Sequence, residues 1–130
     1  MTIVVGYVPT PEGEAALTAA IAEAGLREEP LHVVNTSRGD ALVDNRFASE
    51  EALAAVRGRL DESGVVYEID QQVGHEASEE LVETADRLWA SLIVIGLRRR
   101  TATGKLLTGS QAQRILLDSH CPVPAVKATY

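Results

Sequence analysis

The sequence predicts an α/β fold: a single doubly wound, five-stranded parallel sheet with helices on both faces. Three observations carry that prediction. Strand-like and helix-like stretches alternate four times before a closing strand, the order that builds a parallel sheet through right-handed crossovers. Leu92–Ile95 is an unbroken apolar run, the pattern of a strand covered on both faces. The chain has 130 residues, 45% hydrophobic and 24% charged, enough for one core, and contains no internal repeat, linker or low-complexity segment. Residues 1–130 therefore read as one domain.

Thr2 to Tyr7 is β-branched and apolar and reads as a central strand. Thr10 followed by Pro11 forms a helix start, with Glu12 and Glu14 suited to the dipole. Leu17, Ala20, Ile21 and Ala24 then define one apolar helical face, and Gly25 is the expected stop. Leu31–Asn35 is the second strand, followed by a polar stretch from Thr36 to Ala48. Glu50–Ser63 reads as a helix burying Ala52, Leu53, Val56 and Leu60, ended by Gly64. Val65–Val73 alternates towards its end, which suits a strand near an edge. Glu76–Trp89 reads as a helix burying Leu81, Val82, Ala85 and Leu88, with Trp89 expected in packing. Val123–Lys127 closes the chain as an edge strand, where Pro124 removes one amide donor.

The most informative stretch lies between the last two strands. Gly96 is expected to end the fourth strand with a sharp turn. Arg98, Arg99, Arg100 and Lys105 then place four cations in one short loop, which Gly109 and Ser110 close. Ser110 with Gln113 fits a capping box opening a helix. The unpaired amides and positive dipole of such a start favour an anion, and a basic loop leading into it suits a phosphate group. Gly104-Lys105 is not a Walker loop, because it lacks the upstream glycine spacing and the following Ser or Thr.

This stretch resembles the universal stress protein family, whose motif is Gly, two residues, Gly, nine residues, then Gly followed by Ser or Thr. Here Gly96 takes the first position and Gly109-Ser110 the last, with Arg99 at the second glycine. His120-Cys121-Pro122-Val123 is similar to the Cys-Pro-Val before that family's last strand. The resemblance spans essentially the whole chain. It implies a Rossmann-like sheet of order 3-2-1-4-5, with ligands beyond the strand ends where the winding reverses. It also implies an adenine nucleotide, ATP or AMP with magnesium, and a role as a stress-response sensor or regulator. By position, Gly96, Gly109, Ser110, Gln111 and Ala112 would meet the phosphates, with Arg99 and Lys105 adding charge. Val33 would offer its backbone to the adenine, and Val8 stands where nucleotide-binding members use an aspartate for the nucleoside. Asp40 and Asp44 are the acids a magnesium ion would find. A homodimer through the C-terminal strand is a further implication.

Two other readings accompany this one. The first is a nucleotide-free homodimeric interaction module of the same family; the second is a slow ATPase, with fold analogy alone behind it. No catalytic residue is assigned, because no nucleophile–base pairing can be argued, and His32, His75 and His120 lack metal-ligand spacing. A net charge of −7 argues against general nucleic-acid binding. A single cysteine, Cys121, excludes an internal disulfide framework and reads as an inert thiol. With neither a secretory signal nor a long apolar segment at Thr2–Val5, no membrane association and a cytoplasmic location are expected.

Overall fold

The computed structural model describes residues 1–37, 48–74, 76–97 and 110–128. The elements are β1 (Thr2–Gly6), α1 (Pro11–Arg27), β2 (Leu31–Ser37), α2 (Glu50–Ser63), β3 (Tyr67–Val73), α3 (Ala77–Leu88), β4 (Ala90–Leu97), α4 (Ser110–Asp118) and β5 (Ala125–Lys127). The strands form one parallel sheet in the order β3-β2-β1-β4-β5. Val5 pairs with Val33 on one side and Val94 on the other, which sets the register of the three central strands.

Period-two alternation divides the buried residues between the two faces of the sheet. Ile3, Val5, Tyr7, Leu31, Val33, Leu92 and Val94 pack with Ala16, Leu17 and Ala20 of α1 and Leu53, Val56 and Leu60 of α2. Val4, Val34, Ile93 and Ile95 pack on the opposite face with Leu81 and Ala85 of α3 and Ile115 of α4. Burial on both faces explains the unbroken apolar runs in β1 and β4. At the edge, β3 is half-buried at most, and the expected alternation towards its end is absent: Ile69–Gln72 are all half-buried and Val73 is exposed.

Several sequence expectations are corrected. Gly25 does not stop α1; the helix continues to Arg27, and Glu28 takes the left-handed capping conformation at φ 55°. A glycine inside a helix costs only about 1 kcal/mol, and the helix end beyond it is closed by the Glu28 amide donating to the Ala24 carbonyl and by the Arg27–Glu23 pair at 3.1 Å. Nor does Gly96 end β4, which runs from Ala90 to Leu97 with Gly96 paired to Val126. A Cβ at Gly96 would lie 2.2 Å from the Glu12 carbonyl oxygen, so the residue admits α1 rather than a turn. Trp89 is not packed in α3 but caps its C-terminus at φ 54° and stands 76% exposed. The third and fifth strands begin at Tyr67 and Ala125, two residues later in each case than the patterns imply.

Pro124 also plays a different part. Its carbonyl accepts from the Ile95 amide at 3.1 Å, so its nitrogen points towards β4 as well. The outward-facing backbone groups of the edge belong to Ala125 and Lys127, which both retain their donors.

Candidate functional site

The carboxyl ends of β1 and β4 meet at the first turn of α1. Thr10 caps that helix, its hydroxyl accepting from the Gly13 amide at 3.1 Å. The cap brings the turn hard against both strand ends. A Cβ at Gly13 would lie 1.8 Å from the Val8 carbonyl oxygen, just as one at Gly96 would strike Glu12. Val8 and Gly96 are therefore brought to the same turn, where the winding of the sheet reverses. Val8 is half-buried, and its carbonyl accepts from the Thr10 amide at 2.8 Å.

Beneath this point the strand ends are locked by amide side chains that periodicity does not single out. Asn35, fully buried, donates through Nδ2 to the Tyr7 carbonyl at 2.8 Å. Its Oδ1 accepts from the Ala48 amide at 2.8 Å and from Gln71 Nε2 at 3.0 Å. Gln71 Nε2 also donates to the Ala48 carbonyl at 2.8 Å. Buried polar groups are tolerated only when paired, and here β1, β2, β3 and the approach to α2 are joined by that pairing. On the same side of the sheet, the Tyr7 hydroxyl donates to Glu14 Oε1, and Arg59 grips Glu14 Oε2 at 2.6 Å. Burial first, and then the neighbouring carboxylate, hold the Tyr7 phenol well above its ordinary range, so it is a donor at every physiological pH.

The second wall comes from α4. This helix begins at Ser110 itself, so Ser110 is its first residue rather than the cap of the capping-box reading, and Gly109 lies outside the described residues. The amides of Ser110, Gln111 and Ala112 occupy the first turn, where no intrahelical acceptor exists for them. Ala112 is half-buried against the cluster that holds Ile95 and Ile115. The Gln111 side chain turns to α3, accepting from the Ser78 amide at 2.8 Å. Donors and dipole at this start fit an anionic group such as a phosphate.

Of the other residues singled out by sequence, Val33 lies mid-strand in β2, fully buried and paired with Val5 and Ile69. Arg99, Lys105, Gly109, Asp40 and Asp44 lie outside the described residues. Cys121 is a free, half-buried thiol whose Sγ lies 3.4 Å from Ser119 Oγ. His32 lies 3.7 Å from both Glu68 and Asp70, and His120 pairs with Asp86 at 2.6 Å. Among the described residues no group of three metal-ligating side chains converges, and no helix is long and apolar enough to cross a membrane. A groove between α3 and α4 encloses 220 Å³.

The sequence profile of the universal stress protein family matches residues 1–127. A universal stress protein of Mycolicibacterium smegmatis is 50% identical over 125 residues, covering 96% of each chain. The solved structure of a universal stress protein from Archaeoglobus fulgidus superposes with a TM-score of 0.82 at 33% identity, over 98% of each chain. Another from that organism, solved in complex with dAMP, superposes with a TM-score of 0.72 at 28% identity, again over 98% of each chain.

Proposed function

The chain belongs to the universal stress protein family, and from that premise we propose that it binds an adenine nucleotide, ATP or AMP, at the β1/β4 reversal. The observation that carries this reading is the start of α4 after the end of β4, with the amides of Ser110, Gln111 and Ala112 in a first turn that supplies them no intrahelical acceptor. The dAMP complex of a relative 28% identical supports the ligand class. In this reading Gly109, Ser110 and the two following amides hold the phosphates, and Arg99 and Lys105 add positive charge. Gly96 keeps α1 close to the strand end and Val8 borders the nucleoside, while Val33, fully buried mid-strand and paired with both neighbouring strands, lies beneath it in the sheet. A magnesium ion accompanying ATP would draw on Asp40 or Asp44. The nucleotide would supply a charged signal rather than a reaction, so the protein acts as a cytoplasmic stress-response sensor or regulator. Slow ATP hydrolysis is the enzymatic alternative.

One observation favours a second reading, a nucleotide-free homodimeric interaction module. Val8 offers no side-chain acceptor to the nucleoside, and a hydrogen bond to a charged group is worth about 1.5–3 kcal/mol. The outward edge of β5, with Ala125 and Lys127 exposed and their donors present, suits strand pairing with a second copy.

Two substitutions separate the readings. Gly109→Asp sets a carboxylate against the phosphates and should abolish nucleotide retention in a folded protein, measured by titration with ATP and AMP. Val8→Asp should tighten binding about tenfold or more, since about 1.4 kcal/mol is a factor of ten. Undiminished binding by Gly109→Asp would overturn the site. Unchanged or weaker binding by Val8→Asp would remove Val8 from the nucleoside border.

A further inference from the structure

The N-terminus of α3 lacks a cap of its own. Glu76 occupies the capping position but makes no side-chain hydrogen bond to the first turn. Its carboxylate instead pairs with Arg114 Nη1 of α4 at 3.0 Å. An N-cap side chain ordinarily accepts from the second or third amide of its helix. Here the second amide, that of Ser78, donates to Gln111 Oε1 of α4 at 2.8 Å. Ser78 is 2% exposed, and its hydroxyl has no partner among the described residues, although it borders the groove between α3 and α4. Loss of the Gln111 acceptor would leave this largely shielded amide without the partner it has here.

Gln111 stands in the first turn of α4 and Arg114 one turn further on, so two contacts hold the start of α4 to the start of α3. The bond at Ser78 is the less exposed of the two, part-buried between the helices. The pair at Arg114 is more than half exposed on the arginine side and is correspondingly weak. Below it, Leu81, Ala85 and Ile115 share one apolar cluster that holds the helices side by side.

We propose that Gln111 is a positioning residue, whose side chain caps α3 from α4 and so sets where the first turn of α4 presents its amides. The proposal rests on the nucleotide reading above, because the amides so placed are those assigned to the phosphates. Coupling of this kind is reciprocal: if the cap favours the bound arrangement, a bound nucleotide favours the cap.

The test combines residue-resolved amide hydrogen exchange with ATP and AMP titration for the parent, Gln111→Met and Gln111→Glu. Methionine keeps the length without a good acceptor, whereas glutamate keeps an acceptor oxygen. In nucleotide-free protein the Ser78 amide should exchange about tenfold faster in Gln111→Met and near the parental rate in Gln111→Glu. Gln111→Met should also bind nucleotide about tenfold more weakly, and saturating nucleotide should slow Ser78 exchange in the parent but not in this variant. An unchanged Ser78 rate in Gln111→Met would mean that no such cap exists. A faster rate with undiminished affinity would leave the cap without a positioning role. Should the parent bind neither nucleotide, the functional reading fails and the positioning role falls with it. The Met-against-Glu contrast at Ser78 would then still decide whether the interhelical cap is present.

Discussion

Gly96 carries more of the architecture than its place in a glycine motif suggests. It sits inside β4, and the Glu12 carbonyl occupies the space a side chain would need. Gly96→Ala must push α1 away from the sheet and is expected to cost about 1–3 kcal/mol, read from urea unfolding. An alanine variant as stable as the parent would contradict the close approach. The presence of this glycine was legible in the sequence, but its reason was not. A turn and a close backbone approach both select glycine, and only the position of α1 distinguishes them. Asn35 and Gln71 left no signal at all. Each reads as an ordinary polar residue near a strand end until the ends of β1, β2 and β3 are brought together. Trp89 was misread because helical spacing continues into it, whereas its left-handed backbone turns it out of the helix.

At the scale of elements, the starts of helices were more legible than their ends. Thr10 before Pro11 acts as the expected cap, accepting from the Gly13 amide at 3.1 Å, while Ser49, which is not singled out from the sequence, caps α2 by accepting from the Ala52 amide at 3.1 Å. Such starts are defined by one side chain and one amide, so a short motif suffices. Ends depend on which residue takes the left-handed cap, and α1 passes through Gly25 to end where Glu28 takes it and donates its amide to the Ala24 carbonyl. Gly25 and Gly58 are both exposed helical glycines with open space where a Cβ would stand. Alanine at either position should raise stability by about 0.5–1 kcal/mol, measured by urea or thermal unfolding. A loss of stability at Gly25 would mean that its backbone is not helical. The interhelical cap at Ser78 belongs to this scale as well. It explains how α3 begins without a capping side chain of its own, which the sequence of α3 alone could not reveal.

For the whole molecule, order was legible because the physics is repetitive. Two-sided burial gives unbroken apolar strands, alternation gives parallel pairing, and right-handed crossovers restrict the winding. The resulting reversal between β1 and β4 brings Val8, Gly96 and the first turn of α1 together. The start of α4, tied to α3, presents first-turn amides that have no intrahelical acceptor. The net charge of −7 gives the molecule no general attraction for polyanions, so a phosphate ligand depends on this local arrangement of donors. Arg99, Lys105 and Gly109 were legible as a basic, glycine-bearing loop but lie outside the described residues. The most direct test of nucleotide binding is calorimetric titration of the nucleotide-stripped protein with ATP and AMP. Saturable binding of about one nucleotide per chain with a micromolar Kd, roughly −8 kcal/mol, is the predicted result. No binding at millimolar nucleotide by a folded protein would contradict it and turn attention to the β5 edge and its partners.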